Sequence, residues 1–245
     1  MQSVIDLLKS HRSIRKFTPA PIAPALLENL LLAAQAAATS SFLQGATLIR
    51  VTKPENRKKI AELAGNQGYV ETAAEFFVFC ADLNRPGNYC KEYGKPFEGD
   101  FTEHFIIATV DVALMAQNLV TAAESEGLGI CYIGGIRNNP APVSELLELP
   151  YGVYPVFGLC LGYPDQNPEV KPRLPLSVVV KEDSYNEVGD KDAIANYDEE
   201  IREYYRTRTG GGHGVSWSEQ VSELLSDKVR PHMKDFLASK GFKFR

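Results

Sequence analysis

His11, Arg12, Ser13 and Arg15 place an imidazole, two guanidiniums and a hydroxyl within five residues. Such a donor set can converge on phosphate oxygens through charge-assisted hydrogen bonds. Lys171 and Arg173 form a second basic segment, and Arg208 and Arg230 add two separated guanidiniums towards the C-terminus. In a chain of net charge -5, cations gathered into short polar segments point to a bound anion. The competing reading of His11–Arg15 is a solvated helix end, because cations are favoured at helix C-termini.

Tyr132-Ile133-Gly134-Gly135 follows an apolar run and precedes Arg137-Asn138-Asn139. Glycines there let a planar ligand approach backbone N–H groups, and they serve a simple strand-ending turn equally well. Cys80, Cys90, Cys131 and Cys160 are too far apart in sequence for a metal knuckle or a redox dithiol, so buried packing thiols and no metal site are expected. No phosphate-binding Gly-rich loop ending in Lys-Ser/Thr, no Gly-x-Ser-x-Gly elbow and no His-Glu-x-x-His helix is present, which sets hydrolase and kinase chemistry aside. Gly210–Gly214 reads as a linker between helices.

These residues need a scaffold. A 245-residue chain with 44% apolar and 23% charged residues has the composition of an ordinary globular protein, and one domain accommodates it. The acidic balance argues against a nucleic-acid surface. Asp111 and Gln35 interrupt the apolar runs, so no segment is expected to span a membrane, and the charges at Asp6, Lys9, Arg12 and Arg15 leave no room for a secretion signal. A cytoplasmic location is the expectation.

Ser3 followed by Asp6 marks the start of a short helix that ends near His11. Leu26, Leu27, Leu30, Leu31 and Ala34 predict a helix to about Ala38, closed by Thr39-Ser40-Ser41, and a further helix runs from Glu55 to Ala64. Strands are predicted over Thr47–Thr52, Glu75–Asp82, Ile130–Ile133, Val156–Leu161 and Ser177–Lys181. The unbroken apolar run Phe76–Ala81 has the pattern of a central strand covered on both faces. Asn84–Asp100, rich in Pro, Gly, Tyr and charge, reads as a long surface loop that borders a ligand site. Thr102–Ser125 predicts a deeply buried helix stopped by Gly127, and Pro142–Leu149 a shorter one. Asp192–Arg206 and Ser218–Ser239, the latter broken at Pro231, predict two terminal helices.

His-Arg-Ser-Ile-Arg-Lys-Phe-Thr from residue 11, Gly65-Asn66-Gln67-Gly68-Tyr69-Val70-Glu71, Glu75–Cys80, Leu128–Gly135, Gly158–Gly162, Lys171-Pro172-Arg173-Leu174-Pro175 and Tyr204-Tyr205 occur together and in order. Together they resemble the oxygen-insensitive, NADPH-dependent nitroreductase and flavin reductase family over nearly the whole chain. The resemblance implies an α+β fold with a central mixed β-sheet flanked by helices. It also implies an intertwined homodimer and one FMN-binding domain over residues 1–245, with 190–245 as a helical extension.

By the same resemblance, tightly but non-covalently bound FMN would be held by His11, Arg12, Ser13, Arg15, Thr39, Ser40, Gln67, Tyr69, Tyr132, Ile133, Gly134, Gly135, Lys171 and Arg173. Arg208 and Arg230 would hold the extra phosphate of NADPH. Thr39 stands where the family's hydroxyl run has serine, and it keeps the hydroxyl. Because the cofactor supplies the redox chemistry, no side chain is assigned as a catalytic acid or nucleophile. The implied reaction is ping-pong transfer of electrons from NADPH to nitroaromatics, quinones, free flavins or related small-molecule acceptors. An FMN-binding redox sensor or storage protein without turnover is the alternative.

Overall fold

The computed structural model describes residues 3–208, 214–227 and 229–245. The expected linker at 210–214 lies outside the described residues except for Gly214. Two compact units are distinguished: residues 1–168 with 232–245, and residues 169–231.

The first unit is built on four strands, β1 (Ala46–Arg50), β2 (Glu75–Asp82), β3 (Gly129–Ile133) and β4 (Val153–Gly162), in the order β1-β2-β4-β3. The strands pair antiparallel throughout, and a parallel bridge joins Ser13 to Ile130 beside β3. Every residue of β2 is buried, as its unbroken apolar run predicts. The helices of this unit begin with α1 (Val4–Lys9), α2 (Pro24–Gln35), α3 (Pro54–Leu63), α4 (Tyr69–Thr72) and α5 (Asn84–Glu92). α6 (Thr102–Ser125) and α7 (Pro140–Leu146) follow.

At α1, the Ser3 hydroxyl accepts the Asp6 N–H at 3.1 Å, which is the N-cap the sequence announces. α6 packs against α2 and against β1 and β2. Its length and composition would suffice to cross a membrane, but Asp111, 3% exposed near its middle, is bonded on all sides by protein. Gly127 follows it in the left-handed region at φ 75°.

Two expectations are corrected. Asn84–Glu92 is the helix α5, because the buried Asp82 carboxylate accepts the Arg85 N–H at 3.0 Å and so satisfies an orphan donor of the first turn. Pro86 also sits in that turn, where its missing N–H costs nothing. The second correction falls in the other unit. Its helices are α8 (Leu176–Val179), α9 (Asp190–Thr207) and α10 (Trp217–Ser226), with no strand among its described residues. The fifth strand expected over Ser177–Lys181 is therefore the single turn α8, whose Val180 N–H bonds the Leu176 carbonyl at 2.7 Å. β-Branched residues make a strand only where a partner strand is available. α11 (Met233–Ser239) belongs to the first unit and buries Phe236 and Leu237 in its core.

Candidate functional site

The segment after α1 is fixed by its apolar residues. Ile14 is 4% exposed, its N–H bonds the Ile130 carbonyl at 2.8 Å, and Phe17 is also buried. A side chain on Gly129 would stand 2.6 Å from Ile14, so glycine is needed for this close approach. With Ile14 inward, the alternation of an extended segment turns Ser13 and Arg15 the other way.

Arg15, Gln67 and Tyr69 then come together. The Tyr69 hydroxyl donates to Gln67 Oε1 at 2.8 Å and lies within hydrogen-bond reach of Arg15. Burial pushes the Tyr69 phenol up, so it stays protonated and a donor at neutral pH. With its oxygen taken by Tyr69, Gln67 presents its Nε2 donors beside Gly135. A methyl on Gly135 would stand 2.3 Å from the Ala64 carbonyl and 2.9 Å from Gln67 Nε2. Gly134 and Gly135 open a 3₁₀ turn over Gly134–Asn138. The glycine at 135 thus serves the close packing of this turn on the end of α3.

Other predicted residues are engaged elsewhere. His11 Nδ1 lies 2.6 Å from Glu124 Oε1, and Arg12 donates to Asn167 Oδ1 at 2.6 Å. Tyr132 packs edge-on against Phe157 at 5.0 Å, and burial pushes its phenol up to about 12. Ile133 is fully buried, which leaves only its backbone for a ligand. Thr39 donates to Asp111, and Asp111 also accepts the N–H groups of Ser40 at 3.1 Å and Gly45 at 3.0 Å. In the sequence Asp111 reads only as a break in an apolar run. A carboxylate in the middle of a buried helix is itself the signal of a polar anchor.

A groove of ≈ 630 Å³ takes in Arg12 but none of the other predicted cofactor residues. It also carries Glu124 and Asp165, whose charges oppose an anion. The Arg15–Gln67–Tyr69 cluster combines a guanidinium, an amide and a phenol without a carboxylate. That chemistry suits the acceptor-rich edge of an anionic heteroaromatic such as FMN.

In the second unit, the Lys171 ammonium donates to Tyr205 Oη at 2.7 Å, and Arg173 is exposed, donating to the Lys171 carbonyl at 2.7 Å. Arg208 follows α9, exposed, with its guanidinium 5.8 Å from the Tyr204 ring centroid. Arg230 is half-buried in the left-handed region at φ 53°.

An antiparallel sheet bearing paired glycines after β3, with a cation, an amide and a phenol gathered beside them, defines a cofactor-binding α+β class. The chain belongs to the nitroreductase family: residues 8–163 match "Nitroreductase family" and residues 171–245 match "Nitroreductase family, C-terminal domain". It is 47% identical to the "NADPH-flavin oxidoreductase" of Vibrio harveyi over 241 residues, covering 98% of both chains. It is 44% identical to the "Oxygen-insensitive NADPH nitroreductase" of Salmonella typhimurium over 245 residues, covering all of both. A solved structure, "NADPH:FMN oxidoreductase from Vibrio harveyi complexed with NAD+", superposes with a TM-score of 0.90 at 46% identity, covering 98% of this chain and 99% of that one.

Proposed function

We propose that this protein is an NADPH-dependent, FMN-containing oxidoreductase that reduces nitroaromatics, quinones, free flavins or related small acceptors by a ping-pong mechanism. The observation that carries the reading is the Arg15–Gln67–Tyr69 cluster beside Gly134–Gly135, in a chain that matches named NADPH-flavin and nitro reductases from end to end. FMN, when bound, would supply hydride acceptance and electron delivery.

The chain's own residues bind and orient. Arg15 offers a fixed positive charge, Gln67 an amide donor held by Tyr69, and Ser13 a hydroxyl on the same alternation as Arg15. We assign His11, Arg12, Thr39, Ser40, Tyr132, Ile133, Lys171 and Arg173 to the same cofactor, and Arg208 and Arg230 to the extra phosphate of NADPH. Guanidiniums suit a phosphate dianion. Residues 1–245 act in this reading as one FMN-binding domain, with 190–245 as its helical extension, in the cytoplasm, where NADPH is supplied.

A homodimer fits an apolar surface: Val4, Ile5 and Leu8 on α1 are exposed, as are Ile106, Val110 and Leu114 at four-residue intervals on α6. Light scattering should return about twice the monomer mass of 27.1 kDa, and a monomer at micromolar concentration would contradict it.

The decisive measurement is anaerobic mixing of the FMN-loaded protein with NADPH. The flavin absorbance should bleach faster than with NADH and recover on adding a nitroaromatic. Arg208→Ala should raise KM for NADPH roughly tenfold, the loss of one charge-assisted phosphate contact, and leave FMN content unchanged. A protein that takes up no FMN would refute the reading, and one that holds FMN without bleaching would be a binding protein instead.

A further inference from the structure

We propose that Tyr205 is a positioning residue that fixes the Lys171 ammonium, with Gln220 fixing Tyr205 in turn. The inference rests on the reading above in which Lys171 serves FMN, and it concerns residues of the second unit alone.

Lys171 Nζ lies 2.7 Å from Tyr205 Oη and 4.9 Å from the centroid of the same ring. An ammonium has only donors, so the phenol must accept from it and turn its own proton elsewhere. That proton goes to Gln220 Oε1 at 3.2 Å. The Gln220 amide is oriented in its turn, because its Nε2 donates to the carbonyls of Val215 at 3.2 Å and Ser216 at 3.1 Å. Ser216 is 1% exposed and caps α10 in a reciprocal capping box with Glu219. A second support comes from the ring, which meets buried Tyr204 edge-on at 5.4 Å.

Every hydrogen bond in this relay therefore has one possible direction, with donation running from the lysine through Tyr205 and Gln220 to the capped end of α10. A lysine otherwise samples many rotamers on its four-carbon stem, and holding it before the ligand arrives removes that ordering cost from binding. A cation held beside FMN also raises the potential at which the bound flavin accepts electrons.

FMN release from the holoprotein on dilution, followed by flavin fluorescence, tests the proposal in Lys171→Ala, Tyr205→Phe and the double variant. Tyr205→Phe should weaken FMN binding about two- to tenfold, the range expected when one rotamer-rich side chain loses its pre-ordering. It should also lower the midpoint potential of the bound flavin. The double variant should bind no worse than Lys171→Ala alone, since both changes remove one device.

Should Tyr205→Phe not fold, Gln220→Leu decides: it should shift affinity and potential in the same direction by a smaller amount, and no shift in either would overturn the proposal. If Lys171→Ala weakens binding while Tyr205→Phe matches the parent protein, or if the two effects add, the positioning role is overturned and the FMN reading of Lys171 survives. If Lys171→Ala changes neither affinity nor potential, both fall.

Discussion

Two polar clusters of the first unit use similar groups to opposite ends. Around Asp111 a carboxylate, a hydroxyl and two backbone N–H groups consume one another inside the protein. Around Arg15 a guanidinium, an amide and a phenol share two internal contacts through the Tyr69 hydroxyl and leave donors over, with Arg15 exposed and Gln67 and Tyr69 half-buried. Buried polar groups must be paired because an unpaired one carries its whole desolvation cost. A surface cluster is under no such demand, so donors left over there are available to a ligand.

Asp111→Ala tests the difference most severely. It leaves the hydroxyl of Thr39 and the N–H groups of Ser40 and Gly45 without their acceptor, and should cost roughly 3 kcal/mol in urea unfolding. A loss below about 1 kcal/mol would erase the distinction between the clusters.

The tyrosines sharpen it through pH. Burial pushes the Tyr154 phenol up to about 12, opposed by its hydrogen bond with Thr109, against about 10 in an unfolded chain. Between those values the unfolded chain has released a proton that the folded one retains. Stability is therefore unaffected below about pH 10 and falls as pH rises towards 12, by roughly 2 kcal/mol from this group. Urea midpoints measured along that range should fall less steeply in Tyr154→Phe, and Tyr69→Phe should flatten the curve less because Tyr69 is only half-buried.

Arg15→Ala should have the smallest effect on folding, within about 0.5 kcal/mol, because its side chain is exposed. FMN release from the same variant should nonetheless rise about tenfold or more, the loss expected for a charge-assisted hydrogen bond. Destabilisation without altered FMN release would make the Arg15 cluster structural, like the one around Asp111.

Much of the fold was legible where local pattern and burial agree. The run Phe76–Ala81 of β2 is apolar throughout because both its faces are covered, while α6, expected to be deeply buried, buries one face at helical spacing and leaves Ile106, Val110 and Leu114 exposed. α5 was missed because its composition says loop, while the carboxylate of Asp82, outside the helix, supplies the cap. The strand expected over Ser177–Lys181 is instead the helical turn Leu176–Val179, because strand preference depends on a partner, and the sequence does not say whether one exists.

At the site, the spacing of His11–Arg15 already marks Arg15 as a candidate, whereas Gln67 and Tyr69 are legible only through the ordered motifs. The use of Thr39 was not foreseen, since its acceptor Asp111 lies 72 positions away. Tyr205 belongs to the Tyr204-Tyr205 motif, but its bond to Lys171 spans 34 positions that only the folded unit brings together.

The short pairing of Ser13 and Ile14 with Ile130 has one more consequence. β3 is an edge of the sheet, and an open edge offers unpaired N–H and C=O groups to any passing strand. The backbone that presents Ser13 and Arg15 is also the cover on that edge. Protection against self-association and the offer of donors to a cofactor are thus held by one stretch of chain, and a change that loosens it exposes the protein to both failures at once.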